Sequence, residues 1–286
     1  MDLQRKLRTG ERPAGGWCSI PSPSVAEALA TAAFDFVVVD TEHAPTTTES
    51  VENMVRAVEA APGDAETLVR VAENDPTRIK RVLDAGPAGV MAPRVNSPAA
   101  ARDLVRACRY PPQAEGNGGP EGVDDEEVGP RSIDDEEASP EGVDDTPWRG
   151  VAASRASDYG RRIDDYVRSD GDDVAVIAQI ETARAVDAAA GIAAVPGIDA
   201  LLVGPADLSA SLGRFREFDH PTVRNAIADA VAGADAADVP IGTLATSDEG
   251  IDAWLDAGFD FLIVGTDVGF MSAGADRALN RYADGT

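Results

Sequence analysis

The chain has 286 residues and a formal net charge of -26, from 51 Asp and Glu residues against 25 Lys and Arg residues. A surface this negative repels nucleic-acid phosphates and anionic lipid headgroups, so we expect neither nucleic acid nor a membrane as a partner. The length suits an α/β barrel of about 250 residues, and we treat residues 1–286 as one domain. No stretch approaches the roughly 18 apolar residues of a transmembrane helix, and we predict a cytoplasmic protein.

The acidity is concentrated in residues 113–147, which hold 13 acidic residues, one arginine and no aromatic residue. The hexamer PEGVDD occurs there twice, at 120–125 and at 140–145. Such a low-complexity tract buries too little apolar surface to offset the entropy lost on ordering, so we predict a flexible, acidic insert within the domain. Its Asp clusters do not follow the spacing of an EF-hand, which favours a solvated loop over a calcium site.

The rest of the chain has 38 acidic and 24 basic residues, a net charge of -14, and Lys6 and Lys80 are the two lysines of the whole sequence. An acidic surface with arginine in place of lysine is typical of proteins from salt-loving microbes. Cys18 and Cys108 lie far apart in apolar runs, which predicts reduced, buried thiols and not a disulfide or a zinc site.

Eight short apolar runs alternate with amphipathic helical stretches outside the acidic segment. We predict strands at 15–20, 34–40, 67–71, 88–95, 174–180, 200–204, 240–245 and 261–267. Runs that are apolar on both faces need helices on both sides, which indicates a parallel sheet. Eight strand–helix units in this length predict a (β/α)8 TIM barrel, with the insert after the helix that follows strand 4. The alternative is a doubly wound open sheet, in which strand 8 would not pair with strand 1.

Two helix starts are well marked in the sequence. Asp75 and Ser97 are each followed directly by a proline, which predicts an N-cap with proline at the first helical position. Gly86 is expected to end the first of these helices.

Chemistry in such a barrel lies at the carboxyl ends of the strands. The predicted strand ends present six polar side chains: Asp40, His43, Arg70, Gln179, Glu181 and Asp207. Because side chains alternate along a strand, Gln179 and Glu181 should share a face. We therefore expect the active site at these strand ends.

Each charged candidate has a structural alternative. Asp207 could only cap the next helix, whereas Glu181 continues an inward-facing apolar run and needs a partner or a metal. His43 is a better candidate acid/base than His220, which reads as a helix start, because imidazole transfers protons near neutral pH. Arg70 in an apolar strand must pair with an anion from the protein or the substrate.

Carboxylates on neighbouring strands without a His or Cys cluster suit a hard divalent cation such as Mg²⁺ or Mn²⁺. A 2-oxo acid could chelate that cation through its carboxylate and ketone oxygens, and Arg70 could stabilise the resulting enolate. The alternative Schiff-base chemistry needs a desolvated lysine at a strand end. Lys6 lies in the polar N-terminal segment and Lys80 on the wet side of a helix, which favours the metal.

Six motifs together resemble the HpcH/HpaI family of class II pyruvate aldolases, which includes 4-hydroxy-2-oxoheptanedioate and 2-dehydro-3-deoxyglucarate aldolases. They are PSPSVAEALATAAFDFVVVDTEHAP, NDPTRIKRVLDAG, APRVNSPAAARDLVRACRYPP, QIET, GPADLSASLG and LIVGTD. The resemblance covers nearly the whole chain except the insert, and DTEHAP and GPADLS are specific as a pair. It implies a TIM barrel of the phosphoenolpyruvate/pyruvate type that cleaves a 4-hydroxy-2-oxo acid to pyruvate and an aldehyde.

The resemblance also implies how metal and pyruvate are held. Glu181 and Asp207 would bind Mg²⁺, Mn²⁺ or Co²⁺, with no organic cofactor, and pyruvate would chelate the metal near the backbone amides of Ala206 and Asp207. His43 would be the acid/base, acting through metal-bound water. Arg70 would steady the enolate.

Four further expectations rest on the same resemblance. Asp40 and Asp84 would support His43, with Asp84 serving a site at a subunit boundary. Gln179 and Trp17 would line the pocket. The family assembles as a hexamer whose C-terminal helices pack across subunits, so a homo-oligomer is expected.

The acidic insert at 113–147 departs from the family pattern, at a loop that in the family borders the active site, and could form a lid or hang free. A second enzyme hypothesis is a lyase acting on a CoA thioester, like citrate lyase β and malyl-CoA lyases, although so acidic a surface does not invite a polyanionic nucleotide. The non-enzyme hypothesis is a metal-binding relative without turnover. The presence of His43, Arg70, Glu181 and Asp207 argues against it.

Overall fold

Eight parallel strands close into a barrel in the computed structural model, which describes residues 2–110, 148–169 and 173–284. The predicted insert at 113–147 lies outside the described residues. The strands are β1 (Ala14–Cys18), β2 (Phe36–Asp40), β3 (Glu66–Arg70), β4 (Gly89–Ala92), β5 (Ala175–Ile180), β6 (Ala200–Val203), β7 (Ile241–Leu244) and β8 (Phe261–Thr266). They pair in chain order, and β8 pairs with β1. This closure confirms the predicted (β/α)8 barrel over the open sheet.

Helices alternate with these strands. They are α1 (Asp2–Arg8), α2 (Pro23–Ala30), α3 (Thr48–Ala60), α4 (Pro76–Leu83), α5 (Pro98–Cys108), α6 (Ile163–Arg168), α7 (Ala183–Asp187), α8 (Ala189–Ala193), α9 (Pro205–Ser211), α10 (Pro221–Asp235), α11 (Asp248–Asp256) and α12 (Asp267–Ala283). Asp75 and Ser97 accept N–H groups from the first turns of α4 and α5, as predicted for N-caps. Gly86 follows α4 with a φ of 78°, a conformation that glycine adopts at little cost.

Strand alternation divides the apolar core into two layers. In β2, Val37 and Val39 pack outward against the helices, while Phe36 and Val38 fill the barrel interior. Asp40 is the next inward position of the same strand. The interior row therefore changes from apolar to charged at the carboxyl end of the barrel.

Helix α1 covers the opposite, amino-terminal end of the barrel. Its Leu3 and Leu7 join the interior apolar cluster. Gln4 and Arg8 donate hydrogen bonds to Asp199, which directly precedes β6, at 3.2 and 2.9 Å. This helix leaves the carboxyl ends of the strands as the end where a substrate can enter.

The described residues on either side of the insert meet at that amino-terminal end. The N–H of Arg149 donates to the carbonyl of Arg109 at 2.9 Å, and Nη1 of Arg109 donates to the carbonyl of Val174, just before β5, at 3.2 Å. The Arg149 guanidinium lies 5.0 Å from the ring centroid of Tyr110. The described residues that flank the insert therefore lie at the end of the barrel opposite the predicted active site of the same chain. The predicted lid itself lies outside the described residues.

Two further predictions concern thiols and membranes. Cys18 and Cys108 are buried free thiols, as expected. Within the described ranges, no helix is both long enough and apolar enough to cross a bilayer.

Candidate active site

Arg70 is the central cation at the carboxyl end of the barrel. It stands opposite Asp40 in the register of β2 and β3, and the two side chains form a bidentate pair, with Nε to Oδ1 at 2.9 Å and Nη2 to Oδ2 at 2.8 Å. Its Nη1 lies 2.9 Å from Oε2 of Glu42. The Trp17 ring stacks against it, with Cζ 4.6 Å from the ring centroid. Arg70 thus has the protein anions that its buried position requires.

Asp40 orients the segment that follows β2. Burial alone would raise its pKa, but the hydrogen bonds and charge of Arg70, with the N–H groups of Glu42 and His43, lower the pKa below its ordinary value. Those N–H groups donate to Oδ1 at 2.9 and 3.4 Å. Asp40 therefore supports His43 through the backbone and not through the imidazole.

Glu42 is a site residue that was not among the candidates predicted from the strand ends. One oxygen faces Arg70, and the other, Oε1, lies 3.8 Å from Nε2 of His43. The Oε2 atom is buried and, within the described residues, has no partner with hydrogen-bond geometry. The His43 ring is itself 69% exposed. The signal was available in DTEHAP, because Glu42 lies two residues beyond the inward-facing Asp40.

Gln179 is an inward-facing residue of β5, and Glu181, the first residue after the strand, continues the same inward row, as alternation predicts. Ala175 and Ile177 precede them in the interior cluster. The Glu181 side chain is only 4% exposed and accepts the N–H of Arg94 at 2.9 Å. Burial, then the negative charges of Glu42 and Asp207, raise the pKa of Glu181 to about 7, although the Arg94 N–H and the Arg70 charge oppose this. Glu181 is therefore a buried acid with too few hydrogen-bond donors and positive charges around it to stabilise its carboxylate form.

Gly204 gives Gln179 and Glu181 the space they need. A Cβ at this position would lie 2.8 Å from Nε2 of Gln179 and 3.4 Å from Oε2 of Glu181. The buried Oε1 of Gln179 has no hydrogen-bond partner in the part of the chain that is described. An unpaired buried oxygen beside a close backbone approach is typical of a place where a ligand or water binds.

Asp207 lies at the third position of α9, whose N-cap is Gly204, so the alternative that Asp207 is only a cap is wrong. Ala206 precedes it, and both are exposed at the barrel mouth. The other histidine has the structural role we expected: His220 caps α10, with Nδ1 accepting the Thr222 N–H at 3.2 Å.

The residues present fit a divalent cation, although no cluster of three or more His, Cys, Asp or Glu side chains suited to a metal occurs among the described residues. Glu181 and Asp207 supply two carboxylates, and Mg²⁺ commonly takes its other ligands from water and substrate. Burial, and then the negative charges of Glu42 and Asp207, raise the Glu181 pKa, and a bound cation would offset this cost of holding the carboxylate in its charged form.

One sequence candidate, Asp84, and the two lysines that were rejected for Schiff-base chemistry lie away from this cluster. Asp84 caps the C-terminus of α4 at the amino-terminal end of the barrel, where its Oδ1 is 3.3 Å from Nη2 of Arg149. It therefore does not support His43 of its own chain. Lys6 pairs with Asp35 at 2.7 Å, just before β2, and Lys80 is exposed on α4. Neither lysine is placed for Schiff-base chemistry.

Comparison with known proteins gives a consistent result along the chain. Residues 14–273, which include all eight strands, match the family described as HpcH/HpaI aldolase/citrate lyase. A protein named hydroxypyruvate/pyruvate aldolase, from Paraburkholderia phytofirmans, is 36% identical over 278 residues, covering 97% of this chain and 95% of that protein. A protein named 4-hydroxy-2-oxo-heptane-1,7-dioate aldolase, from Salmonella arizonae, is 33% identical and covers 96% and 92%.

Comparison with a solved structure indicates the same family. The crystal structure of an HpcH/HpaI aldolase/citrate lyase family protein from Burkholderia cenocepacia superposes with a TM-score of 0.84 at 36% identity, covering 99% of each chain. The family match therefore extends to the whole fold that carries the candidate site. This chain belongs to the HpcH/HpaI aldolase/citrate lyase family.

Proposed function

We propose that this protein is a metal-dependent aldolase that reversibly cleaves a 4-hydroxy-2-oxo acid to pyruvate and an aldehyde. The observation that carries the proposal is that one barrel mouth holds both a buried guanidinium fixed by Asp40, that of Arg70, and a buried acid with a raised pKa, Glu181. The names of the relatives, pyruvate and hydroxy-oxo acid aldolases, support the same chemistry.

Glu181 and Asp207 would hold the cation, with Mg²⁺, Mn²⁺ or Co²⁺ as the candidates. When bound, such a cation polarises a ketone oxygen and offsets the negative charge that develops on it. Gln179, with its free buried Oε1, and Trp17 would line the pyruvate pocket. The N–H groups of Ala206 and Asp207 precede the first helical bond of α9, from Leu208 to Gly204, and would face the pyruvate carboxylate.

Arg70 would stabilise the enolate oxygen. Asp40 holds its Nε and Nη2, and this pairing fixes the guanidinium plane before substrate arrives, so little reorganisation is needed during the reaction. His43, whose imidazole is exposed at the mouth, would carry the proton to and from the 4-hydroxyl group. Its backbone is held by Asp40, which positions the ring's attachment point.

Assembly would complete this arrangement. Helix α12 presents exposed apolar side chains, among them Phe270, Met271 and Leu279, and a large exposed apolar surface is typical of an interaction site. We therefore keep the predicted homo-oligomer, a hexamer by family resemblance, in which Asp84 would serve the site of a neighbouring subunit. Light scattering on the purified protein tests the oligomeric state. A cytoplasmic and salt-adapted setting remains our prediction from composition.

The decisive experiment is exchange of the pyruvate methyl protons with deuterium, followed by NMR with Mg²⁺ or Mn²⁺ in concentrated KCl. Exchange reports enolate formation without any aldehyde. We expect exchange in the wild type and its loss with EDTA, in Glu181→Gln and in Asp207→Asn. Glu59→Gln, a half-exposed acid that pairs with Arg155, is the matched control.

Two results would contradict the proposal. Calorimetric binding of a CoA ester, without pyruvate exchange, would support the lyase that acts on CoA thioesters. A folded, metal-loaded protein that neither exchanges pyruvate nor cleaves any of a panel of hydroxy-oxo acids would support the non-catalytic alternative.

A further inference from the structure

The segment that follows β1 is fastened to the start of α12 by one carboxylate, that of Asp267. We infer that Asp267 is a positioning residue for the proposed reaction, because it holds this segment so that the Trp17 ring stays over the Arg70 guanidinium. The inference rests on the proposed function and adds to it a residue that acts through Trp17.

Asp267 is a buried acid, 3% exposed, at the first position of α12. Its Oδ1 accepts the N–H of Val268, the next residue of the helix, at 2.8 Å. Its Oδ2 accepts the N–H groups of Ser19 and Ile20 at 3.0 and 2.7 Å. The second oxygen therefore joins α12 to residues 248 and 247 positions away in the chain, which the start of a helix by itself does not require.

An irregularity in β8 brings Asp267 to this place. Between Gly15 and Trp17 the pairing of β1 with β8 shifts, so that β8 has one more residue than β1 over this interval. Gly265 lies in the longer stretch with a φ of 146°, and a Cβ on it would lie 2.5 Å from Cε1 of Phe270. A β-bulge of this kind bends a strand and changes the direction of the residues that follow it. The bulge therefore sets Asp267 beside the residues that follow Trp17.

The Trp17 ring covers one face of Arg70. Trp17 is 6% exposed, and Cζ of Arg70 lies 4.6 Å from the ring centroid. Asp40 and Glu42 hold the nitrogen atoms of the guanidinium, so the ring supplies a contact that these acids do not. A cation kept away from water interacts more strongly with a negative charge that develops beside it, because the local dielectric is low. Movement of Trp17 would expose the guanidinium and weaken this interaction.

Cys18, which lies between Trp17 and the anchored residues, is also close to Asp267. Its thiol donates to the carbonyl of Ile20 at 3.5 Å. Burial, then the negative charge of Asp267, raise the pKa of Cys18 to about 12. The stretch from Cys18 to Ile20 is thus held next to Asp267, so a change at Asp267 should reach the neighbouring Trp17.

The test follows the accessibility of Trp17 in the metal-free, full-length protein by acrylamide quenching of its fluorescence. The chain has three tryptophans, so Trp148→Phe with Trp254→Phe leaves Trp17 as the single indole. A companion protein with Trp17→Phe and Trp148→Phe reports on Trp254, which lies on α11. The variants made in both proteins are Asp267→Asn, which keeps the shape without the charge, and Asp267→Ala, which removes both oxygens.

We expect Asp267→Ala to raise the quenching constant of Trp17 about threefold or more, and Asp267→Asn less, because the segment loses hydrogen bonds to a charged acceptor and opens locally. The quenching of Trp254 should not change. Pyruvate exchange, measured with all three tryptophans in place, should slow about tenfold in Asp267→Asn. Asp260→Asn is the matched control: this acid directly precedes β8 at the other end of the strand, and its Oδ2 accepts the Ile241 N–H at 2.9 Å. It should change neither the quenching of Trp17 nor the exchange rate.

Unchanged quenching of Trp17 in Asp267→Ala would overturn the inference, because the segment would then be held without Asp267. An equal rise at Trp17 and Trp254 would also overturn it, since that result reports a general loss of stability. So would a rise at Trp17 alone with an unchanged exchange rate, because the ring would then move without effect on the reaction.

Absence of pyruvate exchange in the wild type would overturn the proposed function, and with it the role of Asp267 in the reaction, whatever the quenching shows. The failure of the inference and the failure of the proposed function therefore give different results.

Discussion

Two buried acids at opposite ends of the barrel, Asp199 and Glu181, show how structural and functional charges differ. Asp199 accepts hydrogen bonds from Arg8, Gln4 and the Val176 N–H, the last at 2.8 Å. Glu181 accepts the N–H of Arg94, and burial and neighbouring acids raise its pKa to about 7. A buried charge with full partners stabilises a fold, whereas one left short of partners indicates a place for a ligand.

The largest expected effect is the loss of metal binding in Glu181→Gln. We expect the Mn²⁺ affinity to fall by about a thousandfold, because the proposed site of two carboxylates would lose half of its protein charge. The metal-free variant should unfold no more easily than the wild type at pH 8, since glutamine removes a repulsive charge. Calorimetry and denaturant unfolding measure the two quantities. A marked loss of stability without loss of Mn²⁺ affinity would place Glu181 with the structural acids.

The second prediction concerns pH. The Glu181 pKa is raised from its ordinary value of 4.5 to about 7, so its carboxylate form, which would bind the proposed metal, is lost as the pH falls through about 7. Mn²⁺ affinity should therefore decrease about tenfold per pH unit below that value. In the metal-free protein, the free energy of unfolding should change in the opposite direction to the Mn²⁺ affinity. The charged form of Glu181 costs stability above pH 7, and protonation relieves this cost as the pH falls below 7. A Mn²⁺ affinity that does not change from about pH 7 to 5.5 would contradict the assignment.

Removing the buried acid at the amino-terminal end of the barrel should lower stability and leave metal binding unchanged. Asp199→Asn is expected to lower the free energy of unfolding by about 2 kcal/mol, because Arg8 and the surrounding donors lose a charged acceptor. The fraction that remains folded should keep its pyruvate exchange rate and its Mn²⁺ affinity. Denaturant unfolding beside the exchange assay tests this, and a loss of exchange at full folding would be the contrary result.

The smallest effect is expected for Glu42→Gln. Removing this charge eases the repulsion on Glu181, so the low-pH limit of Mn²⁺ binding should move to lower pH. Arg70 loses one of its anionic neighbours, and pyruvate exchange should slow by about tenfold or less. Glu52→Gln on α3 is a control. A pH profile identical to that of the wild type would mean that Glu42 acts only on Arg70.

Much of the fold was accessible from the sequence because the signals were local. The eight strands lie within a few residues of their predicted limits, and the proline-marked caps at Asp75 and Ser97 are where expected. The prediction of the site from the sequence was less complete. The structure places Arg70 beside Glu42, a residue with no predicted role, and Asp84 at the far end of the barrel.

The sequence by itself determined the alternation of side chains along each strand, which brings Gln179 and Glu181 to one face, and the succession of strands and helices. The hydrophobic period of a strand or helix and the capping of a helix depend on residues that are close together along the chain. Tertiary structure decided which charges meet: the register of β2 on β3 sets Asp40 against Arg70, and closure of β8 on β1 completes the barrel in which Trp17 lies over the same guanidinium. Whether a buried acid is satisfied depends on residues distant in sequence, and only the folded barrel brings those together.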